Sequence, residues 1–240
     1  MSKDHTKFIK ALEEIGLDLN EAKLNQFDEY YELLVEWNKV MNLTGITEYD
    51  EVILKHYIDS LAINTAIDMS KVEKLIDIGT GAGFPGLPLK IAYPHINVDL
   101  LDSLNKRIKF LNEVITSLGL QNINAMHGRA EDYAKQPKHR EQYDMCVSRA
   151  VANLATLSEY CLPYVKVGGY FVAFKAGNVE EELNASKNAI KILGGEIESV
   201  KEITLPMSDI TRTFIIIKKI SSTKNKYPRK AGLPAKEPLN

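Results

Sequence analysis

Hydrophobic and polar positions repeat along the chain with two different periods, and these periods divide it into three zones. Up to about residue 67, apolar residues recur every three or four positions, as on one face of an amphipathic helix. The clearest stripe consists of Phe27, Tyr30, Tyr31, Leu34, Trp37 and Met41. Thr47 and Asp50 have the spacing of a capping box and predict a further helix through Leu61. The polar turn 42–45 separates the two helices.

The second zone, about residues 71–175, alternates short apolar runs with helical stripes. The runs predict strands at residues 74–78, 97–101, 123–127, 143–148 and 169–174. Residues 87–92 and a stripe that Gly119 ends predict helices between them. Strands that alternate with helices require crossover connections, so the pattern predicts a mostly parallel α/β sheet.

The third zone begins with a predicted helix at about residues 179–193, followed by strands at 196–205 and 211–220. The linker 206–209 is short enough for a hairpin, so one strand should run antiparallel to the others. We therefore expect an N-terminal helical region (1–67), a sheet domain (68–220) and a basic, proline-rich C-terminal tail (221–240).

Composition and charge narrow the class of protein. The 240 residues are 45% hydrophobic and 26% charged, which excludes fibrous, disordered and disulfide-rich classes. The net charge is -2. The tail has five Lys or Arg against Glu237 and carries about +4, which leaves about -6 on the rest, so a local patch must hold any nucleic acid. No apolar stretch is long enough to predict a membrane span. Cys146 and Cys161 lack metal-ligand spacing and suit a reducing cytoplasm, and we expect no metal.

A glycine-rich segment, DIGTGAGFPG from Asp77 to Gly86, follows the first predicted strand and opens a helix. Glycines there let the backbone turn sharply and approach a bound nucleotide closely. Asp102 ends the next strand, 23 residues after Gly79, where a carboxylate can accept hydrogen bonds from ribose hydroxyls. The two features together predict a site for a cofactor that contains a nucleoside.

Two cofactors compete for this site. Gly81, Gly83 and Gly86 match the dinucleotide pattern, so an NAD(P)-dependent reductase is an alternative. A pyrophosphate needs free backbone N–H groups at the helix start, and Pro85 removes one of them. The acid Asp77 instead suits a positively charged ligand such as S-adenosylmethionine, which carries a sulfonium and an ammonium group. The residues favour the methyl donor.

An ordered set of further motifs resembles one family. They are Asn42-Leu43-Thr44-Gly45-Ile46, His56-Tyr57-Ile58-Asp59-Ser60-Leu61, the glycine loop, Leu101-Asp102-Ser103-Leu104-Asn105-Lys106-Arg107, Gly128-Arg129-Ala130-Glu131, Ser148-Arg149-Ala150 and Tyr227-Pro228-Arg229-Lys230-Ala231-Gly232-Leu233-Pro234. Each is weak alone, but in this order, from about Trp37 to the end, they resemble the RsmG (GidB) family of bacterial 16S rRNA guanine-N7 methyltransferases.

The resemblance implies a Rossmann-like, seven-stranded methyltransferase sheet with helices on both faces and an N-terminal helical extension. It implies that S-adenosylmethionine contacts Gly79, Phe84, Ala130, Glu131 and Arg149, with Asp102 on the ribose and the adenine near Ala130 and Glu131. It further implies a cytoplasmic enzyme whose partner is 16S rRNA or the small ribosomal subunit. A monomer is the default expectation, and a module for ribosome assembly that has lost catalysis is a second alternative.

The end of the fourth strand supports the same target class. Enzymes that methylate exocyclic amines resemble one another in an Asp/Asn-Pro-Pro-aromatic motif of acceptors there, whereas this chain has the donor Arg149. Guanine N7 has an in-plane lone pair and no proton, so in-line displacement needs no general base, and positioning carries the catalysis. We therefore expect Arg149 to position the reactants.

Some residues keep two interpretations. His56 and Asp59, one helical turn apart, form either a functional pair or a structural one. The tail predicts an RNA contact through its cations and the Tyr227 ring, or else a frayed terminus. These cations are Lys224, Lys226, Arg229 and Lys230. Lys106, Arg107, Lys218 and Lys219 are expected to be solvated surface, with contact to phosphate as the alternative for either pair.

Overall fold

The structure, a computed structural model, describes residues 3–149, 152–177 and 179–239, so Ala150 of the Ser148-Arg149-Ala150 motif lies outside it. Seven strands form one sheet in the order β3-β2-β1-β4-β5-β7-β6. Their bounds are β1 Lys74–Ile78, β2 Asn97–Asp102, β3 Ile123–His127, β4 Tyr143–Arg149, β5 Val165–Lys175, β6 Gly195–Thr204 and β7 Thr211–Lys219. The first five strands are parallel, and β7 runs antiparallel to β5 and β6. The predicted α/β class and hairpin are confirmed.

The helices follow the predicted alternation. Their bounds are α1 Thr6–Glu14, α2 Glu21–Met41, α3 Tyr49–Val52, α4 Asp59–Leu61, α5 Gly86–Ala92, α6 Asn105–Ser117, α7 Ala130–Tyr133, α8 Leu154–Cys161, α9 Glu180–Ile192 and α10 Leu233–Lys236. A π-helical stretch, Ile53–Ile58, joins α3 to α4, and a 3₁₀ turn, Ala62–Thr65, continues it. No helix among the described residues is long and apolar enough to cross a lipid bilayer.

Successive strand residues point to opposite faces of the sheet, and a hydrophobic core lies on each face. Leu75 and Leu100 belong to the core that also contains α1, α2, α5 and α6. Ile76 and Leu101 belong to the second core, with α8, α9 and Tyr227. Helices therefore cover both faces, and the N-terminal helices share one core with the sheet rather than forming a core of their own.

The predicted capping box is wrong. Glu48, not Thr47, precedes α3, and no side chain caps this helix end. The carbonyl of Thr47 instead accepts a hydrogen bond of 2.9 Å from the Tyr31 hydroxyl. This tertiary contact fixes Thr47 just before the helix, and sequence spacing does not reveal it. In the preceding turn the left-handed residue is Asn42 (φ 49°), directly after α2.

Candidate active site

The loop between β1 and α5 uses its glycines in two ways. A Cβ on Gly81 (φ 63°) would meet nothing closer than Gly79 O at 4.0 Å, so this position faces an open cleft. A Cβ on Gly83 would lie 2.3 Å from Leu87 Cδ1, and one on Gly86 would lie 2.3 Å from Leu100 Cδ2. The first half of the loop can therefore approach a ligand, whereas the second half is glycine-rich because the core leaves no space.

Asp77 holds the loop from below. Its carboxylate has no exposed surface, and Oδ2 accepts hydrogen bonds from the Thr80 hydroxyl (2.7 Å) and the Gly86 amide (2.8 Å). Oδ1 has no hydrogen-bond partner in the described part of the chain. Burial raises the pKa of Asp77 to about 6, so it is still ionised at neutral pH. Asp77 thus shapes the loop and leaves a negative charge beneath it.

The amides at the start of α5 already have partners. Those of Gly83 and Phe84 both donate to Thr80 O at 2.9 Å, and Gly86 donates to Asp77. The Leu87 amide donates to Gly83 O, and Pro85 has no N–H to offer. A pyrophosphate would need such amides free, so the helix start does not support a dinucleotide.

Asp102 stands where β2 ends and is 2% exposed. Its carboxylate accepts hydrogen bonds from the amides of Gly81 (3.0 Å) and Leu104 (2.9 Å) and from Arg107 Nη1 (3.0 Å). Arg107 was expected to be solvated, but it is an ion-pair partner of Asp102. The spacing of five residues places its side chain back over the strand end.

Two adjoining cavities meet at Gly79, Asp102 and Ser103. The first, of about 410 Å³, is lined by Leu43, Thr44, His56, Gly79, Thr80, Gly81, Ala82, Phe84, Asp102, Ser103, Arg107 and Arg149. The second, of about 260 Å³, is lined by Ile78, Gly79, Leu101, Asp102, Ser103, Gly128, Arg129, Ala130, Glu131, Ala152, Tyr160 and Ala235. The structure therefore places all six expected cofactor residues on one continuous cleft. The cleft is lined by the carboxylates of Asp102 and Glu131 and by the guanidinium groups of Arg107, Arg129 and Arg149, so it offers an extended ligand groups of both charges.

Arg149 is fixed from the N-terminal side. Its Nη1 donates to Asp59 Oδ2 at 2.8 Å and to Lys55 O at 3.3 Å, and its guanidinium carbon lies 5.1 Å from the Phe84 ring centroid. The other oxygen of Asp59 accepts from Arg212 Nε at 2.8 Å. One buried carboxylate thus bridges two arginines from different strands and orients both.

His56 lies beside this bridge. Its ring stacks on Phe84 with centroids 4.4 Å apart, and its Nε2 lies 2.8 Å from the Thr44 hydroxyl. Burial, together with the charge of Arg149, lowers the pKa of His56 to about 4, so the ring is neutral at pH 7. Nδ1 lies 3.4 Å from Arg149 Nη2. His56 and Asp59 thus both contact Arg149.

A third cavity, of about 380 Å³, adjoins the first at His56 and Arg149. It is lined by Ile46, Lys55, His56, Asp59, Arg149, Phe174, Lys175, Ala176 and Arg212. The sequence motifs single out neither Lys175, which directly follows the predicted strand 169–174, nor Arg212, which lies at the start of the second strand of the predicted hairpin. Because β7 runs antiparallel, its first residues lie at the edge where the parallel strands end.

The contacts of the C-terminal tail differ from those that the sequence predicts. Arg229 donates to both oxygens of Glu159, a carboxylate with no exposed surface, and Tyr227 is only 7% exposed. The predicted stacking of a base on Tyr227 and the phosphate contact of Arg229 are therefore wrong, because the body of the protein already uses both groups. Lys219, expected on the surface, is also fully buried. Among the described residues, no cluster of His, Cys, Asp or Glu side chains could hold a metal ion.

Solved structures and known relatives agree with this architecture. A mutant of MtNAS in complex with S-adenosylmethionine superposes with a TM-score of 0.55 at 17% identity, over 89% of this chain and 77% of that one. This likeness concerns the fold alone, and with the strand order it shows the predicted Rossmann-like methyltransferase fold. Ribosomal RNA small subunit methyltransferase G of Lachnoclostridium phytofermentans is 55% identical over 99% of this chain and 98% of its own.

The protein of the same name from an Exiguobacterium species is 51% identical over 98% of this chain and 99% of its own. The GidB family model, described as rRNA small subunit methyltransferase G, matches residues 23–211. Neither comparison supports the reductase alternative. The chain belongs to the GidB family of rRNA small subunit methyltransferases.

Proposed function

We propose that this chain transfers the methyl group of S-adenosylmethionine to N7 of a guanine in 16S rRNA, as a cytoplasmic monomer. The observation that carries the proposal is the position of Arg149, which lines both the glycine-loop cavity and a neighbouring cavity with three further cations. These cations are Lys55, Lys175 and Arg212. The cavity lined by Arg149 and these three cations suits the phosphates of an RNA acceptor, and it adjoins the cleft in which Asp102 and Glu131 offer carboxylates to a cationic donor.

Six residues would hold the donor. Gly79 and Asp102 border both cavities, Phe84 and Arg149 line the first, and Ala130 and Glu131 line the second. Bound there, S-adenosylmethionine would supply a methyl group on a sulfonium, whose departure leaves a neutral thioether. The open position of Gly81 supports close approach of a ligand to the backbone.

The chain's own groups would act by positioning. His56, with a pKa of about 4, is too weak a base to remove a proton efficiently at pH 7, and Asp59 is engaged by two arginines. An acceptor atom with a free lone pair needs no base, and guanine N7 is such an atom. Arg149, held by Asp59 and Lys55 O, would orient the guanine against the donor, since correct geometry alone supplies much of a rate enhancement.

The test is methyl transfer from labelled S-adenosylmethionine to small-subunit RNA, with the product mapped by N7-methylguanosine-specific cleavage. We expect one cleavage site in 16S rRNA that depends on the protein. Free RNA and intact subunits should be compared as substrates in the same assay. Donor binding without methyl transfer to either substrate would favour a non-catalytic assembly module, and label on an exocyclic amine would refute N7 as the target.

A further inference from the structure

The C-terminal segment, residues 223–239, packs against the rest of the protein and forms hydrogen bonds with charged side chains there. Arg140 donates to the carbonyls of Thr223 (2.7 Å) and Tyr227 (2.9 Å). Arg229 pairs with Glu159, whose carboxylate is entirely buried. A buried carboxylate without a partner is strongly unfavourable, so the segment completes the fold rather than extending from it.

The segment then reaches the cofactor cleft. The amide of Gly232 donates to Glu131 Oε1 at 2.8 Å, and the Thr156 hydroxyl donates to Pro234 O at 2.9 Å. Gly232 has φ 84°, a conformation that glycine adopts without strain, and it directs its amide toward Glu131 just before α10 begins. Glu131 thus has its side chain held by the C-terminal segment.

Ala235, an exposed residue of α10, lines the second cavity. The same cavity is lined by Leu101, Tyr160, the turn at residues 128–130 and Glu131. A wall of mostly small and apolar groups, with the carboxylates of Asp102 and Glu131 as hydrogen-bond acceptors, suits a flat heterocycle with apolar faces and a polar edge that is attached to a ribose. The adenosine part of the donor has this chemistry.

We propose that the C-terminal segment is part of the donor-binding site: Ala235 contacts the adenosine part of S-adenosylmethionine, and the Gly232 amide holds Glu131 in its binding position. This inference rests on the donor named under the proposed function. The inference assigns the segment to donor binding. The basic composition of the segment is then no evidence that it binds RNA.

The first test adds bulk at Ala235. We expect Ala235→Trp to weaken binding of S-adenosylhomocysteine, measured by titration calorimetry, at least tenfold, because the indole would occupy the cavity. Lys236→Trp is the matched control, since it places the same ring on the next residue, which does not line the cavity, and should change binding less than twofold. RNA affinity should be equal for both variants and the wild type. Wild-type donor affinity in a folded Ala235→Trp protein, or a loss of RNA affinity alone, would overturn the inference.

The second test needs no variant. If opening of the segment abolishes donor binding, saturation at a hundred times Kd should slow hydrogen exchange at the hydrogen-bonded amides of Gly232 and Leu233 by up to about a hundredfold. Exchange there that is unchanged by S-adenosylhomocysteine would contradict the coupling. A wild-type protein that bound no S-adenosylhomocysteine would refute the donor and this inference together. Donor binding without formation of N7-methylguanosine would refute only the proposed acceptor.

Discussion

Two segments outside the sheet, residues 3–65 and residues 223–239, reach the same cleft from opposite faces but contribute different chemistry. The N-terminal segment supplies side chains: Asp59 bridges two arginines, and His56 stacks on the glycine loop. The C-terminal segment supplies the backbone amide of Gly232 and the side chain of Ala235, whereas its Arg229 pairs with the buried Glu159. The C-terminal segment is the more basic one, but none of its cations lines the cleft, whereas Lys55 of the N-terminal segment lines the adjoining third cavity. Composition shows where charge lies along the chain, but only packing shows which charges a partner can reach.

The two segments also differ in how they are anchored. The N-terminal segment contains three fully buried aromatic rings, Phe27, Tyr30 and Tyr57. The Tyr57 ring contacts both Phe27 and Tyr30. The C-terminal segment buries Tyr227 but is otherwise held mainly by hydrogen bonds and one ion pair. Apolar burial sets most of the local stability, so we expect the C-terminal segment to open at lower free energy.

The largest effect should come from the N-terminal bridge. Arg149→Ala leaves Asp59 paired with Arg212, so the protein should stay folded, but it removes the group that lines both cavities. We expect turnover at saturating donor and RNA to fall at least a hundredfold, because small misplacement of reactants has effects of that size. Circular dichroism and the Tm provide the folding control. Near wild-type turnover would limit Arg149 to a structural role.

On the C-terminal side the corresponding substitution acts on stability. Arg229→Ala removes the guanidinium from the buried carboxylate of Glu159 but keeps the hydrogen bond from the amide of residue 229 (2.7 Å), and we expect the free energy of unfolding at pH 7 to fall by about 2 kcal/mol. Lys230→Ala, at the exposed neighbouring position, is the matched control and should change it by less than about 0.5 kcal/mol. Urea unfolding of both variants measures the difference. Equal stability of the two would mean that the ion pair does not hold the segment.

The difference between local patterns and contacts of distant segments also explains which features could be predicted from the sequence. The predicted bounds of β1 and β3 are the observed ones, and those of the other strands are close except at the start of β5, because periodicity is a local signal that burial reinforces. The six expected donor residues lie on one cleft, since parallel strands end at a common edge. The ion pairs at that edge join Arg149 to Asp59 and Arg229 to Glu159, residues 90 and 70 positions apart. Such pairs depend on how whole segments dock, which no spacing encodes.

A smaller effect should appear as a pH dependence from the N-terminal side. The folded-state pKa of His56 is about 4, below the ordinary value of 6.5, so the unfolded chain binds more protons between these values. His56 therefore contributes stability above pH 6.5 that is lost as the pH falls toward 4. We expect the difference in unfolding free energy between the wild type and His56→Gln to rise by about 1–3 kcal/mol over this range.

Asp77 changes the unfolding free energy with pH in the opposite direction. Its folded-state pKa of about 6 lies above the ordinary value of 3.8, so its contribution to stability falls as the pH rises between these two values. The wild-type curve alone would hide both contributions, which is why the measurement is the difference between two proteins that share Asp77. A difference that is flat from pH 4 to 6.5 would contradict the lowered pKa of His56.

The smallest expected effect compares one lysine from each segment in RNA binding. Lys55 lines the cationic cavity next to Arg149, and its side chain is 34% exposed, whereas Lys226 lies exposed on the C-terminal segment and lines none of the three cavities described above. Each phosphate contact contributes about 0.7 to the salt slope of single-stranded RNA binding. Lys55→Ala should therefore flatten the slope by about that amount and weaken binding a few-fold at physiological salt, whereas Lys226→Ala should change neither. Filter binding of small-subunit RNA between 50 and 200 mM salt, conditions suited to this electrostatic effect, measures both variants. The reverse result would place the RNA on the C-terminal side, where neither the Arg149 bridge nor the cationic cavity could position the base.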